Sequence, residues 1–220
     1  MIDGAFIVVE GIDGSGSTTV VAKLAEHYRS TKRAVHSTCE PSAGPVGTMI
    51  RQILSHRLIV PTEFGPASPE WTTMALLFAA DRLDHLHAEI TPRIADGVMV
   101  ISDRYDLSSL AYQSATSPDH GDAGKGRVLA WIRELNRHAR RPDLTLVLDV
   151  RPEVAATRRE KRGSSKELYE DGDLQARLAR AYAAAEELVP GDSIVHVDAN
   201  GPLESVVTQA LTAVDGLLGR

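Results

Sequence analysis

A cluster of glycines and hydroxyls, set between a strand-like run and a helix-like one, constrains this chain more than any other feature. Residues 5–10 read AFIVVE, a short β-rich apolar run. Gly11-Ile12-Asp13-Gly14-Ser15-Gly16 follows, and Ser17, Thr18 and Thr19 open a helical stretch near 17–30. Glycines let a backbone wrap closely around an anion, and the amides at a helix start point at it with the helix dipole behind them. Strand, glycine-rich loop and helix in that order make the context a phosphate-binding loop requires. A plain glycine-rich turn has the same composition and binds nothing. Thr18 stands where such a loop places the hydroxyl that ligates Mg²⁺, and Ser17 stands where it places a lysine. Residues 11–19 are therefore the candidate site for the phosphates of a nucleoside triphosphate.

The rest of the chain alternates in the same way. Strand candidates lie at 5–10, 33–39, 98–102, 144–150 and 193–198, and most are nearly continuous apolar runs. Strands buried on both faces have that pattern. Between them the sequence predicts helices near 17–30, 46–57, 69–94, 107–115, 126–139, 152–162, 173–188 and 202–218. The alternation predicts an α/β fold of the phosphate-loop NTPase type, a five-stranded parallel sheet with helices on both faces. Residues 58–69 hold three prolines and read as a loop, as do residues 116–126. A length of 220 residues fits one domain, 1–220.

Composition excludes several classes. The net charge is -6 and aromatic residues are 5 %, so neither a broad basic surface nor a stacking platform for nucleic acid is expected. The one cysteine, Cys39, permits no intramolecular disulfide and fits a reducing cytoplasm; it reads as a small buried residue at a strand end. No basic segment followed by a long apolar one opens the chain, and no apolar run approaches ~18 residues, so neither a signal peptide nor a membrane span is expected. Asp84, His85 and His87 look like metal ligands, but residues one and two apart on a helix do not share a face. They are expected to form a solvated face.

The loop segment and four further blocks carry a resemblance. FIVVEGIDGSG, CEPSAGPVGTMIRQIL (39–54), LLFAADR (76–82), SDRYDLSSLAYQ (102–113) and RPDLTLVLDVRPEVA (141–155) resemble, in the same order, segments of the thymidylate kinase family of nucleoside monophosphate kinases. The resemblance covers nearly the whole chain. It implies transfer of a phosphoryl group from MgATP to dTMP, in a protein that is a homodimer. ATP would be held by Gly11, Ile12, Asp13, Gly14, Ser15, Gly16, Ser17, Thr18 and Thr19. Thr18 would ligate Mg²⁺, and Asp103 would hold it through water. On the dTMP side, Phe78 would stack on thymine and Arg82 would hydrogen-bond the base edge. Ser109 and Gln113, four apart on a short helix, would point at the base, with Tyr112 between them. Arg51 and Arg104 would grip the acceptor phosphate as charged forks. Glu40 would face that phosphate, Asp13 the sugar hydroxyl or the metal water, and Tyr169 with Glu170 would close over the sugar.

The chain departs from the family at Ser17, where the loop lysine is expected. An ammonium about 4 Å from phosphate oxygens contributes about 4 kcal/mol at an effective dielectric near 20. That is roughly a thousandfold in rate if spent on the transition state. An active enzyme needs another cation. One branch of the family carries catalytic arginine in a lid over the donor phosphates, here residues 156–172. Arg158, Arg159, Lys161 and Arg162 end the helix at 152–162, with Arg158 and Arg162 on one face. The expected catalytic set is Asp13, Arg104, Arg158 and Arg162. Two alternatives stay open: a kinase of another nucleoside monophosphate, and a nucleotide-binding regulator that has lost catalysis.

Overall fold

The computed structural model describes residues 4–119, 122–162, 168, 169 and 171–219. Its elements in chain order are β1 (Phe6–Glu10), α1 (Ser17–Ser30), β2 (Val35–Cys39), α2 (Pro45–Leu54), β3 (Val60–Thr62), β4 (Gly65–Ala67), α3 (Trp71–His85), a π-helical turn (Leu86–Ile90) and α4 (Thr91–Ala95). There follow β5 (Met99–Asp103), α5 (Asp106–Thr116), α6 (Asp122–Leu135), β6 (Leu144–Asp149), α7 (Pro152–Arg162), α8 (Gly172–Ala183), α9 (Ala185–Leu188), β7 (Ile194–Asp198) and α10 (Leu203–Leu218).

The five expected strands are all present. They form one parallel sheet in the order β2-β5-β1-β6-β7. All of β1 is buried, as its unbroken apolar run requires, and it lies at the centre between β5 and β6. Pairing of Val9 with Asp103 and of Glu10 with Val147 brings the carboxyl ends of the three central strands level. Ligands of open α/β sheets bind at that edge. The main core runs from Ile7, Val9 and Ile101 on the sheet to Leu24 on α1 and Leu178 on α8. A separate cluster of Ile50, Ile53 and Met74 joins α2 to α3, with Phe78 packed against it.

Four expectations need correction. Residues 58–69 contain an antiparallel hairpin, β3 with β4, which pairs Val60 with Ala67 and Thr62 with Gly65. Pro61 faces Pro66 there, and a short exposed ladder tolerates prolines that a central strand does not. The single helix expected over 69–94 is α3, the π-helical turn and α4. Pro92 lacks an N–H and crowds the preceding turn, and a wider turn relieves both. Helix α6 starts at Asp122, inside the segment read as a loop. A Cβ on Gly124 would lie 2.6 Å from the Asp119 carbonyl oxygen, so glycine there serves close packing rather than a break. Cys39 is exposed, because β2 is an edge strand with a half-open face. No helix among the described residues is long and apolar enough to cross a membrane.

Candidate active site

The phosphate loop leaves β1 at the centre of the sheet and enters α1 through Gly16, whose φ of 97 is left-handed. Gly14 has φ 89, and a Cβ there would sit 2.5 Å from the Ala155 carbonyl oxygen. Only glycine fits both the backbone angle and the approach of α7. Helix α7 is thus docked on the loop. Arg158 donates from Nη1 to the Ser15 carbonyl at 3.2 Å and from Nη2 to the Ala199 carbonyl at 2.9 Å. Arg159 donates to the Asp13 carbonyl. One cleft is lined by Gly14, Gly16, Ser17, Thr18 and Thr19 of the loop, Asp103 and Arg104 of the neighbouring strand end, and Arg158 and Lys161 of α7. Thr18 Oγ1 donates to Asp103 Oδ2 at 2.5 Å. The other oxygen, Asp103 Oδ1, is buried and has no partner among the described residues. A hard cation or its water would satisfy it, and hydroxyl plus carboxylate is the oxygen donor set Mg²⁺ takes. The residues present therefore fit the metal. No cluster of three or more His, Cys, Asp or Glu side chains suited to a metal is found among the described residues.

Arg104 closes this cleft on its inner side. It follows β5 with φ 73, a left-handed angle that a non-glycine residue adopts at a cost and that clusters at functional sites. Its Nη2 meets Asp13 Oδ1 at 2.5 Å, its Nη1 donates to Ser108 Oγ and Tyr182 Oη, and its guanidinium lies 5.2 Å from the centre of the Tyr112 ring. Glu10 holds the strained turn. Its carboxyl accepts from the Tyr105 N–H at 2.8 Å, from Ser108 Oγ at 2.6 Å and from Tyr182 Oη at 3.0 Å. Complete burial pushes this carboxyl up to about 7, against the opposing pull of Arg104 and these donors. Glu10 and Tyr182 were not singled out by sequence. The available signal was an acidic residue ending an otherwise apolar, fully buried strand.

A second cleft lies on the other side of Asp13 and Arg104. Glu40, Phe78, Arg82, Ser109, Tyr112, Gln113 and Tyr169 line it, together with Asp13 and Arg104 themselves. Of the expected dTMP-side residues that are described, the structure brings together all but Arg51. Arg82 is buried. Its Nε donates to Glu40 Oε2 at 2.9 Å and its Nη2 to the Tyr105 carbonyl and Ser109 Oγ at 3.1 Å, while Nη1 meets Asn136 Oδ1. Gln113 Oε1 and Tyr112 Oη are buried in this cleft without a partner among the described residues. Buried polar atoms are nearly always paired, so two orphans in one cleft mark a place for a polar ligand. Tyr169 meets Tyr112 edge-on at 5.4 Å, and burial raises its hydroxyl to about 12.

Arg51, on α2, stands outside the lining of that cleft and holds the turn beside it. It donates to the Pro41 carbonyl at 2.8 Å, to the Ser42 carbonyl and to Thr48 Oγ1. His85 departs from the expected solvated face: it is buried, 2.8 Å from Thr38 Oγ1 and 3.4 Å from Glu40 Oε1, while Asp84 and His87 are exposed. The side chain of Arg162, like Glu170, lies outside the described residues.

Two clefts sharing an aspartate and an arginine suit two ligands that meet. The family model for thymidylate kinase matches residues 9–210. The chain belongs to the thymidylate kinase family. It is 36 % identical over 193 residues to a protein of Pyrococcus horikoshii named "Probable thymidylate kinase", covering 88 % of each chain. A protein of the same name from Pyrobaculum aerophilum is 39 % identical over 188 residues, 84 % of this chain and 86 % of its own. One from Thermococcus kodakarensis is 35 % identical over 216 residues, 97 % of this chain and 98 % of its own. As a member of the thymidylate kinase family the chain is a nucleoside monophosphate kinase, and the family match spans the loop, both clefts and α7.

Proposed function

We propose that this chain transfers the γ-phosphoryl group of MgATP to dTMP, giving ADP and dTDP. The observation that carries the reading is the pair of clefts joined at Asp13 and Arg104. The loop cleft takes the donor phosphates on the amides of residues 14–18 and the dipole of α1. Thr18 and Asp103 would hold Mg²⁺, which neutralises charge on the donor oxygens when bound. The second cleft takes dTMP. Phe78 stacks on the ring, Arg82 carries Ser109 and Glu40 into place beside the base, and Gln113 offers its unpaired oxygen to the N3–H of thymine. Tyr112 and Tyr169 cover the sugar. Arg104 grips the acceptor phosphate and stands between the reactants, where charge moves during transfer. Arg51 supports that phosphate from the Glu40–Pro41–Ser42 turn. Asp13 fixes the Arg104 fork. Helix α7 completes the charge around the donor, with Arg158 fixing the helix on the loop through the Ser15 and Ala199 carbonyls.

We further propose that the protein is a cytoplasmic homodimer. Met49 on α2 and Leu76 and Leu83 on α3 are 45 %, 51 % and 38 % exposed, and together they offer an apolar face for a second copy.

A second reading rests on Ser17: a nucleotide-binding regulator without catalysis. One assay separates the readings and the substrates. ADP release is measured with ATP and each of dTMP, dUMP, CMP, AMP and GMP. The kinase reading expects dTMP to be the best acceptor and dUMP to follow within the 10–200-fold that one methyl is worth. A better rate with AMP or CMP would overturn the assignment of the base cleft, and no release with any acceptor would favour the regulator.

A further inference from the structure

We infer that Lys161 supplies the cation that the phosphate loop lacks at Ser17, reaching the donor phosphates from α7 rather than from α1. The inference rests on the donor reading of the loop cleft and assigns to one residue a role the lysine-free loop leaves vacant. Among the described residues, three cations line that cleft: Arg104, Arg158 and Lys161. Two are committed. Arg104 is paired with Asp13 at 2.5 Å and turned towards the second cleft. Arg158 spends its two terminal nitrogens on the carbonyls of Ser15, Ala199 and Gly201. Two further described cations are committed as well, and the side chain of Arg162 lies outside the described residues. Arg159 donates to the Asp13 carbonyl, and Lys23 on α1 is paired with Glu26 at 2.8 Å on an exposed face. Lys161 is exposed at the cleft and has no hydrogen bond or ion pair among the described residues.

Position follows from helix geometry. Ala155 and Arg159 pack against Gly14, which fixes the rotation of α7 on the loop. Lys161 comes three residues after Arg158 and so flanks it on the same side. A flexible four-carbon stem with a compact ammonium is the same device that the loop lysine uses on the β- and γ-phosphates. Ser17, by contrast, is buried at the first turn of α1 and offers a hydroxyl with no charge. The cation has moved from one wall of the cleft to the opposite one.

A rescue experiment on the full chain tests this. Single-turnover transfer from ATP to dTMP is measured in wild type, Lys161→Ala, Ser17→Lys and the double variant. Lys161→Ala is expected to slow transfer by about a thousandfold or more, the range of a cation on the transferring phosphoryl group. Ser17→Lys in the same chain is expected to recover most of that loss, to within about tenfold of wild type. A wild-type rate in Lys161→Ala, or a loss that Ser17→Lys leaves untouched, would overturn the assignment. A second measurement does not depend on transfer at all. Removing Lys161 is expected to weaken a non-hydrolysable ATP analogue more than ADP; equal weakening of the two would also overturn it. If wild type transfers nothing to any monophosphate, the kinase reading fails, while the two affinities still decide the role of Lys161.

Discussion

Arg104 is the residue on which both halves of the site converge. Its left-handed backbone, its pairing with Asp13 and its place in both clefts make it the group that the acceptor phosphate meets. Arg104→Ala is expected to abolish measurable turnover and weaken dTMP binding at least tenfold, while ATP affinity survives; binding titrations with each nucleotide check this, and unchanged dTMP affinity would remove Arg104 from the acceptor site. Glu10 supports Arg104 from behind, and its buried carboxyl gives a pH signature. Below the usual carboxyl value of 4.5 both folded and unfolded chains hold the proton, and the group contributes no difference. As pH rises from 4.5 to about 7 the unfolded chain releases the proton and the folded chain keeps it, so stability falls, by about 3 kcal/mol in all. Glu10→Gln cannot ionise. Urea unfolding should therefore show the variant gaining about 2–3 kcal/mol on wild type between pH 5 and pH 8. A constant difference across that range would show that Glu10 is ionised in the folded protein throughout. Glu10 was hard to read from sequence because its partners, Tyr105 and Ser108 at the start of α5 and Tyr182 on α8, come from two distant places in the chain. The loop, Phe78, Ser109 and Gln113 were legible because they stand inside local motifs.

At the scale of elements, the site depends on α7 lying directly on the phosphate loop. Gly14→Ala would force a Cβ within 2.5 Å of the Ala155 carbonyl oxygen at a left-handed φ. Helix and loop would have to part, at a cost of about 1–3 kcal/mol. The variant is expected to unfold at lower urea and to bind ATP more weakly, with dTMP binding less affected; equal losses for both nucleotides would point to general unfolding instead. The strands were legible because burial on both faces leaves an unbroken apolar run, as in β1 and β6. The β3–β4 hairpin was not, because its prolines mark a loop by every local rule. The π-helical turn before Pro92 was hidden for a related reason: apolar spacing continues through it while the hydrogen-bond ladder changes register. His85 was misread as solvated because spacing along one helix says nothing of Glu40 and Thr38, which arrive from β2 and the turn after it.

On the scale of the whole molecule, the exposed leucines of α3 bear on assembly. Leu76→Asp with Leu83→Asp is expected to convert a dimer to a monomer in light scattering while leaving the fold intact, and a wild type that is itself monomeric would dispose of the dimer proposal. The whole molecule is proposed to work with a phosphate loop that lacks its lysine. The direct measurement is transfer of a labelled γ-phosphate from ATP to dTMP by the wild-type chain, with enzyme in excess. Labelled dTDP is expected in wild type with no substitution at Ser17. Label that stays on ATP in wild type but moves to dTMP in Ser17→Lys would contradict it, and would make the loop the remnant of a site.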